Sequence, residues 1–159
     1  MKFACYHPRS QDLVHICTRI RTQNVAGTLC IHFGQTMKRV AIIEDNPDNR
    51  LLICAMLEES FEIIEFESGH QALASIEAEH PDLVLLDISL PGMDGLEVLN
   101  RLRQIEAFKR LPIIAVTAHA MAGDRERFLA HGFDDYLSKP ILDDQMLIDL
   151  LASWLDKAS

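Results

Sequence analysis

Between residues 39 and 156 the chain alternates short apolar runs with stretches in which apolar residues recur at helical spacing. Residues 39–43, 61–66, 82–87, 112–117 and the short 135–138 predict five strands. The first, third and fourth are apolar at nearly every position, as in a parallel sheet covered on both faces. Asn46-Pro47 opens a helix, with asparagine as cap and proline in the first turn, where its missing N–H costs nothing. Leu51, Leu52, Ala55, Met56 and Glu59 follow at helical spacing. Ser68 opens a second helix, which carries Ala72, Leu73 and Ile76 and closes before Pro81. A third runs from about Gly95 to Ala107 with Leu96, Leu99, Leu102 and Arg103 in register. A fourth, around residues 123–131, stops at Gly132, a left-handed C-terminal position. The fifth, about residues 143–156, repeats the pairs Met146-Leu147, Leu150-Leu151 and Trp154-Leu155. Five strand–helix repeats with short connections predict an α/β fold, a doubly wound five-stranded parallel sheet of order 2-1-3-4-5.

Residues 1–37 break the pattern, with neither alternation nor helical periodicity, and read as a poorly ordered N-terminal extension. Met37 immediately precedes the first strand, so the extension is expected to be an artefact of start-site choice and residues 38–159 to form the domain. Cys5-x-His7, His15-x-Cys17 and Cys30-x-His32 invite a zinc reading, but structural zinc spacings are absent and incidental composition is preferred. Of the four cysteines, only Cys54 lies in a patterned segment, where it reads as a small buried hydrophobe, and nothing resembles a disulfide framework.

Length and composition change this picture little: 159 residues, 48% hydrophobic and 25% charged, suit one soluble domain. No apolar window is long enough to cross a bilayer and no secretory signal is present, so a cytoplasmic, non-membrane protein is expected. Charge changes it more. The first 37 residues carry +3, leaving −12 on the remainder of a chain whose net charge is −9. An acidic domain without a basic stripe disfavours direct nucleic-acid binding and favours a cation or protein partner.

The acids also fall at informative places. The run Leu83-Val84-Leu85-Leu86 ends on Asp87, and the first strand ends on Glu44-Asp45. The fourth strand ends on Thr117, and Lys139 leaves the fifth. In an open α/β sheet these carboxyl ends border the ligand crevice. Clustered carboxylates repel, and a hard divalent cation such as Mg²⁺ removes that conflict. An Asp so placed can accept a phosphoryl group as an acyl phosphate, with Mg²⁺, Lys139 and Thr117 binding its oxygens. Taken singly, each has a plainer role: Glu44 or Asp45 as helix cap, Thr117 as strand former, Lys139 as solvated charge, Tyr136 as half-buried strand residue. Asp87 is the exception, since an unpaired acid ending a buried strand costs stability.

Ile42-Ile43-Glu44-Asp45-Asn46, Leu85-Leu86-Asp87-Ile88-Ser89-Leu90-Pro91-Gly92-Met93-Asp94-Gly95, Val116-Thr117-Ala118 and Tyr136-Leu137-Ser138-Lys139-Pro140 together resemble a response-regulator receiver domain, over about residues 38–158. The run from Thr117 to Arg125 is similar to receivers of hybrid kinases and of stand-alone cell-cycle regulators. The resemblance implies a flavodoxin-like receiver fold and a stand-alone response regulator of two-component signalling. Asp87 would be the phosphoacceptor. Asp45 and Asp87 would bind Mg²⁺ directly, with the Ser89 carbonyl, and Glu44 would act through a water; many relatives have Asp at that first position. Thr117, with Ala118 beside it, and Lys139 would bind the phosphoryl group. Tyr136 would be the switch aromatic and Lys139-Pro140 a cis bond. Ser89 and His119 would flank the site and tune phosphate loss.

By the same resemblance, the donor would be a phosphohistidine on a sensor histidine kinase or histidine phosphotransfer protein. The output surface would be the fourth helix, fifth strand and fifth helix, shifted as a two-state element. Because the chain ends after its last helix, output is expected through protein–protein contact, without turnover of an external substrate. Alternatives are a phosphorelay intermediate or a fragment of a hybrid histidine kinase. From other classes come a Mg²⁺-dependent phosphatase of the haloacid dehalogenase type, whose Asp-x-Asp spacing is missing here, and a flavin or nucleotide binder, whose Gly-rich loop is missing.

Overall fold

The computed structural model describes residues 37–118 and 124–158. Five strands, β1 (Arg39–Ile43), β2 (Glu62–Phe66), β3 (Leu83–Asp87), β4 (Ile113–Thr117) and β5 (Asp135–Ser138), alternate with five helices, α1 (Pro47–Leu57), α2 (Gly69–Glu79), α3 (Gly95–Gln104), α4 (Asp124–His131) and α5 (Asp144–Ala158). All strand pairings are parallel and the order is β2-β1-β3-β4-β5, as the pattern predicted.

Alternation along the strands divides the core in two. Val40, Ile42, Leu83, Leu85, Ile114 and Val116 face one way and pack with Ile53 and Leu57 of α1 and Leu147, Leu151 and Leu155 of α5. Ala41, Ile43, Val84, Leu86, Ile113 and Ala115 face the other way, against α2, α3 and α4. Every residue of β3 and β4 is buried, which is why their sequences show no polar alternation. Each large aliphatic side chain so buried contributes about 1.5–3 kcal/mol.

Three local expectations are corrected. The inward face of α1 is not the one carrying Leu51 and Leu52, which are 69% and 46% exposed. Ile53 and Leu57 are buried instead, with Cys54 and Met56 partly covered. Apolar residues surround this helix on most sides, so spacing alone did not select a face. Arg50 marks the true one. It lies three and seven residues before Ile53 and Leu57, donates to the Glu44 carbonyl at 2.8 Å, and pairs with Glu65 and Glu67 of the β2 segment.

The third helix ends at Gln104 rather than Ala107, because Ile105 is extended and a single 3₁₀ turn, Glu106–Phe108, follows. Arg103 holds that break by donating to the carbonyls of Phe108, Leu111 and Gly132 and to Asp134. The second strand begins at Glu62, and Phe61 belongs to the turn after α1. The Cys/His trio of the N-terminal segment and His119 lie outside the described residues.

Candidate functional site

Among the described residues three polar or charged residues are buried: Glu44, Asp87 and Thr117, at 1%, 4% and 3% exposure. All three stand at the carboxyl edge of the central strands. Asp87 and Thr117 close β3 and β4, and Glu44 follows β1 directly. Register aligns them, since Asp87 pairs with Val116 and Thr117 with Ser138, one residue before Lys139. A buried carboxylate needs partners, and two of them side by side need a cation.

Lys139 supplies the cation. Its ammonium donates to Glu44 Oε2 at 2.5 Å and to Asp87 Oδ2 at 2.7 Å. Burial alone would lower the Lys139 pKa, but the hydrogen bonds to Asp87 and Glu44 and their negative charge outweigh it and hold it above its ordinary 10.5. The second oxygen of Asp87 accepts the Ser89 backbone N–H at 3.0 Å. The second oxygen of Glu44 accepts the Asn49 carboxamide at 3.0 Å. The Lys139-Pro140 bond is cis, as the resemblance implied.

Asp45 lies beside the buried pair, nearer solvent. One ligand oxygen each from Glu44, Asp45 and Asp87 all fall within 4.8 Å of one another. These are hard carboxylate donors, one of them open to water, and they fit a cation of the Mg²⁺ type, which keeps several waters. Ser89 is exposed on the loop after β3, and Ala118 is exposed just beyond Thr117. That loop turns at Gly92, whose φ of 80° is left-handed, and reaches Asp94, which caps α3 by accepting the Glu97 N–H at 2.8 Å. Gly95 then passes against β3: a Cβ there would stand 2.5 Å from the Asp87 carbonyl oxygen and 2.8 Å from the Ile88 Cα.

Tyr136 is half-buried on β5 and stacks on Phe128 of α4, with ring centroids 5.7 Å apart and planes 19° apart. Its neighbour Asp135 joins three elements. Its carboxylate pairs with Arg125 of α4 at 3.4 Å and accepts the Trp154 indole N–H of α5 at 3.1 Å. Phe128, Asn49 and Arg50 were missed in the sequence, because an aromatic, an amide or an arginine inside a helical pattern signals nothing by spacing.

The structure thus brings Glu44, Asp45, Asp87 and Lys139 together at the carboxyl edge of a parallel sheet, with Thr117 at the end of the neighbouring strand. Fold and site define a class: a small α/β domain with an acidic cluster around one buried aspartate at the carboxyl edge of its sheet. A family model, the response regulator receiver domain, matches residues 40–152. The chain belongs to that family, and is therefore a receiver domain of two-component signalling.

It is 47% identical over 105 residues to the polar-differentiation response regulator DivK of Brucella ovis, covering 65% of this chain and 85% of that protein. It is 42% identical over 120 residues to the sensor protein GacS of Pseudomonas syringae pv. syringae, covering 73% of this chain but 13% of that protein. Against the sensor kinases it matches, the chain therefore spans a small fraction of their length. Among solved structures it resembles the receiver domain of the sensor histidine kinase PA1611 of Pseudomonas aeruginosa PAO1, with a TM-score of 0.69 and 37% identity over 76% of this chain and 99% of that one. A magnesium ion is coordinated in the active-site cleft of that receiver. No helix among the described residues is long and apolar enough to cross a membrane.

Proposed function

We propose that residues 38–159 act as a phosphorylation switch in which Asp87 accepts a phosphoryl group from a phosphohistidine donor. The observation that carries this is the convergence of Lys139 on Glu44 and Asp87 with Asp45 alongside. Asp87 Oδ would form the new bond to phosphorus as the bond to the donor imidazole nitrogen breaks, giving an acyl phosphate. Asp45, Asp87 and the Ser89 carbonyl would hold Mg²⁺ directly, and Glu44 through a water. When bound, Mg²⁺ would supply positive charge to the oxygens of the transferred group. Lys139 already lies against Asp87 and would pair with the phosphoryl oxygens, while the Thr117 hydroxyl and the backbone beside Ala118 would bind them from β4.

Drawing Thr117 toward the phosphoryl group would vacate space for Tyr136 to turn inward. That would disturb its stack on Phe128 and shift α4, β5 and α5 between two arrangements. The output is contact with a downstream protein through those elements, and the partner upstream is a histidine kinase or histidine phosphotransfer protein. Such a donor is charged from ATP, which points to the cytoplasm. The reaction is stoichiometric on Asp87, without turnover of an external ester and without nucleic-acid contact.

Incubation with acetyl phosphate and Mg²⁺ tests this by intact mass. The wild-type chain is expected to gain one phosphoryl group and Asp87→Asn none. Equal gain in both, or no gain in either, sinks the assignment, and continuing release of inorganic phosphate from a simple ester would support a phosphatase instead. The similarity to GacS favours a second reading, a phosphorelay step or a piece of a hybrid kinase. Passage of the phosphoryl group from Asp87 to the histidine of an added phosphotransfer domain would distinguish that role.

A further inference from the structure

We infer that Asn49 is a positioning residue for the cation site, clamping the Glu44 carboxylate that faces it. This rests on the proposed Mg²⁺ role of Glu44 and deepens it. The local fold places Asn49 for the task. Asn46 caps α1 by accepting the N–H groups of Asp48 and Asn49 at 2.9 and 3.1 Å, which fixes the first turn of the helix. From that turn the Asn49 side chain reaches back to Glu44 Oε1 at 3.0 Å. It also lines a small cavity of about 40 Å³ with Leu52, Ile53, Lys139, Pro140 and Ile141, so it stands where α1 meets the turn after β5.

Glu44 needs such a partner. Its side chain is buried, and glutamate has one more rotatable bond than aspartate, so its carboxylate is the harder one to hold in a single orientation. Lys139 holds the other oxygen, Oε2, but it is shared with Asp87 and is drawn to whatever charge Asp87 acquires. Asn49 touches Glu44 alone among the acids of the site. Its amide is neutral, so it orients the carboxylate without cancelling the charge that a cation requires. A lysine in its place would compete with the metal, and an aspartate would repel Glu44.

Calorimetric titration of the full chain with Mg²⁺ alone, paired with thermal denaturation in the absence of metal, tests the clamp. Asn49→Ala is expected to weaken Mg²⁺ binding by about three- to tenfold, the range of one ordinary intramolecular hydrogen bond, because Glu44 would reach the cation only through a water. Asn49→Ser, which keeps a polar side chain in the first turn but cannot span the gap, should lose the same amount. In a Glu44→Asp background the shorter acid no longer meets Asn49, so Asn49→Ala should change Mg²⁺ affinity by less than about twofold. Unaltered affinity in both Asn49 variants, or the same loss in the Glu44→Asp background, overturns the inference. A general structural role would instead lower the metal-free melting temperature equally in both backgrounds. Failure of the wild-type chain to bind Mg²⁺ would remove the cation site itself, and the clamp with it.

Discussion

Holding Glu44 and Asp87 side by side under the surface costs stability that two apolar residues in their places would not cost. Lys139 offsets part of that cost, and the raised pKa of its ammonium is the sign of the two acids around it. The partly covered Cys54 thiol of α1 is shifted the same way, with the opposite effect on its charge. Burial first, then the charge of Glu65 and a hydrogen bond to it, push the Cys54 thiol from 9.0 up to about 11. Because the thiolate is the reactive form, Cys54 in the native chain should react with iodoacetamide at pH 8 roughly 100-fold more slowly than a free thiol. Peptide mapping of the labelled chain, with and without denaturant, reads this directly. The same shift has a sign for folding. Well below pH 9.0 both states keep the proton, and stability falls as pH rises through 9.0 toward 11, because the unfolded thiol ionises first. Asp87 was legible in the sequence because a buried strand rarely ends on an acid without cause. Asn49 was not, because its partner lies five residues back across a helix cap.

At the level of elements, α3 is seated against the site through one glycine. A methyl group at Gly95 would press on the backbone of Asp87 and Ile88, which has no flexible end to yield. Gly95→Ala should therefore destabilise the fold by about 1–3 kcal/mol, read as a lower urea midpoint, and should slow labelling of Asp87 by acetyl phosphate. Strands and their order were readable because β1, β3 and β4 are covered on both faces and leave no polar interruption. Helix faces were less so. α5 buries one member of each apolar pair, Leu147, Leu151 and Leu155, while Met146 is 52% exposed. α1, apolar on most sides, takes its orientation from the Arg50 bonds to the Glu44 carbonyl just after β1 and to Glu65 and Glu67 of the β2 segment, a tertiary effect that local spacing does not encode. The early end of α3 has a similar origin in the Arg103 bonds to distant carbonyls.

For the whole molecule, the proposed cation binding would be linked to folding. The carboxyl edge gathers Glu44, Asp45 and Asp87 in a chain already carrying a net charge of −9. A cation that binds only the folded state adds stability as its concentration passes the Kd, about 2.7 kcal/mol at one hundred times that value. Mg²⁺ should accordingly raise the melting temperature of the wild-type chain, chelation should reverse the gain, and Asp45→Asn should blunt it. Scanning calorimetry with and without chelator checks all three, and a melting temperature indifferent to Mg²⁺ would contradict the linkage.

The bond between Trp154 and Asp135 has an optical consequence. The chain contains a single tryptophan. Its indole N–H donates to a carboxylate next to Tyr136, and the Lys157 ammonium sits 4.2 Å above its ring. Indole emission responds in colour and yield to a nearby charge and to loss of a hydrogen bond. The protein therefore carries its own dye, tied to β5 and one residue from the aromatic stack on α4. Rearrangements of that face can be timed in unlabelled material, with no background from a second fluorophore of the same kind.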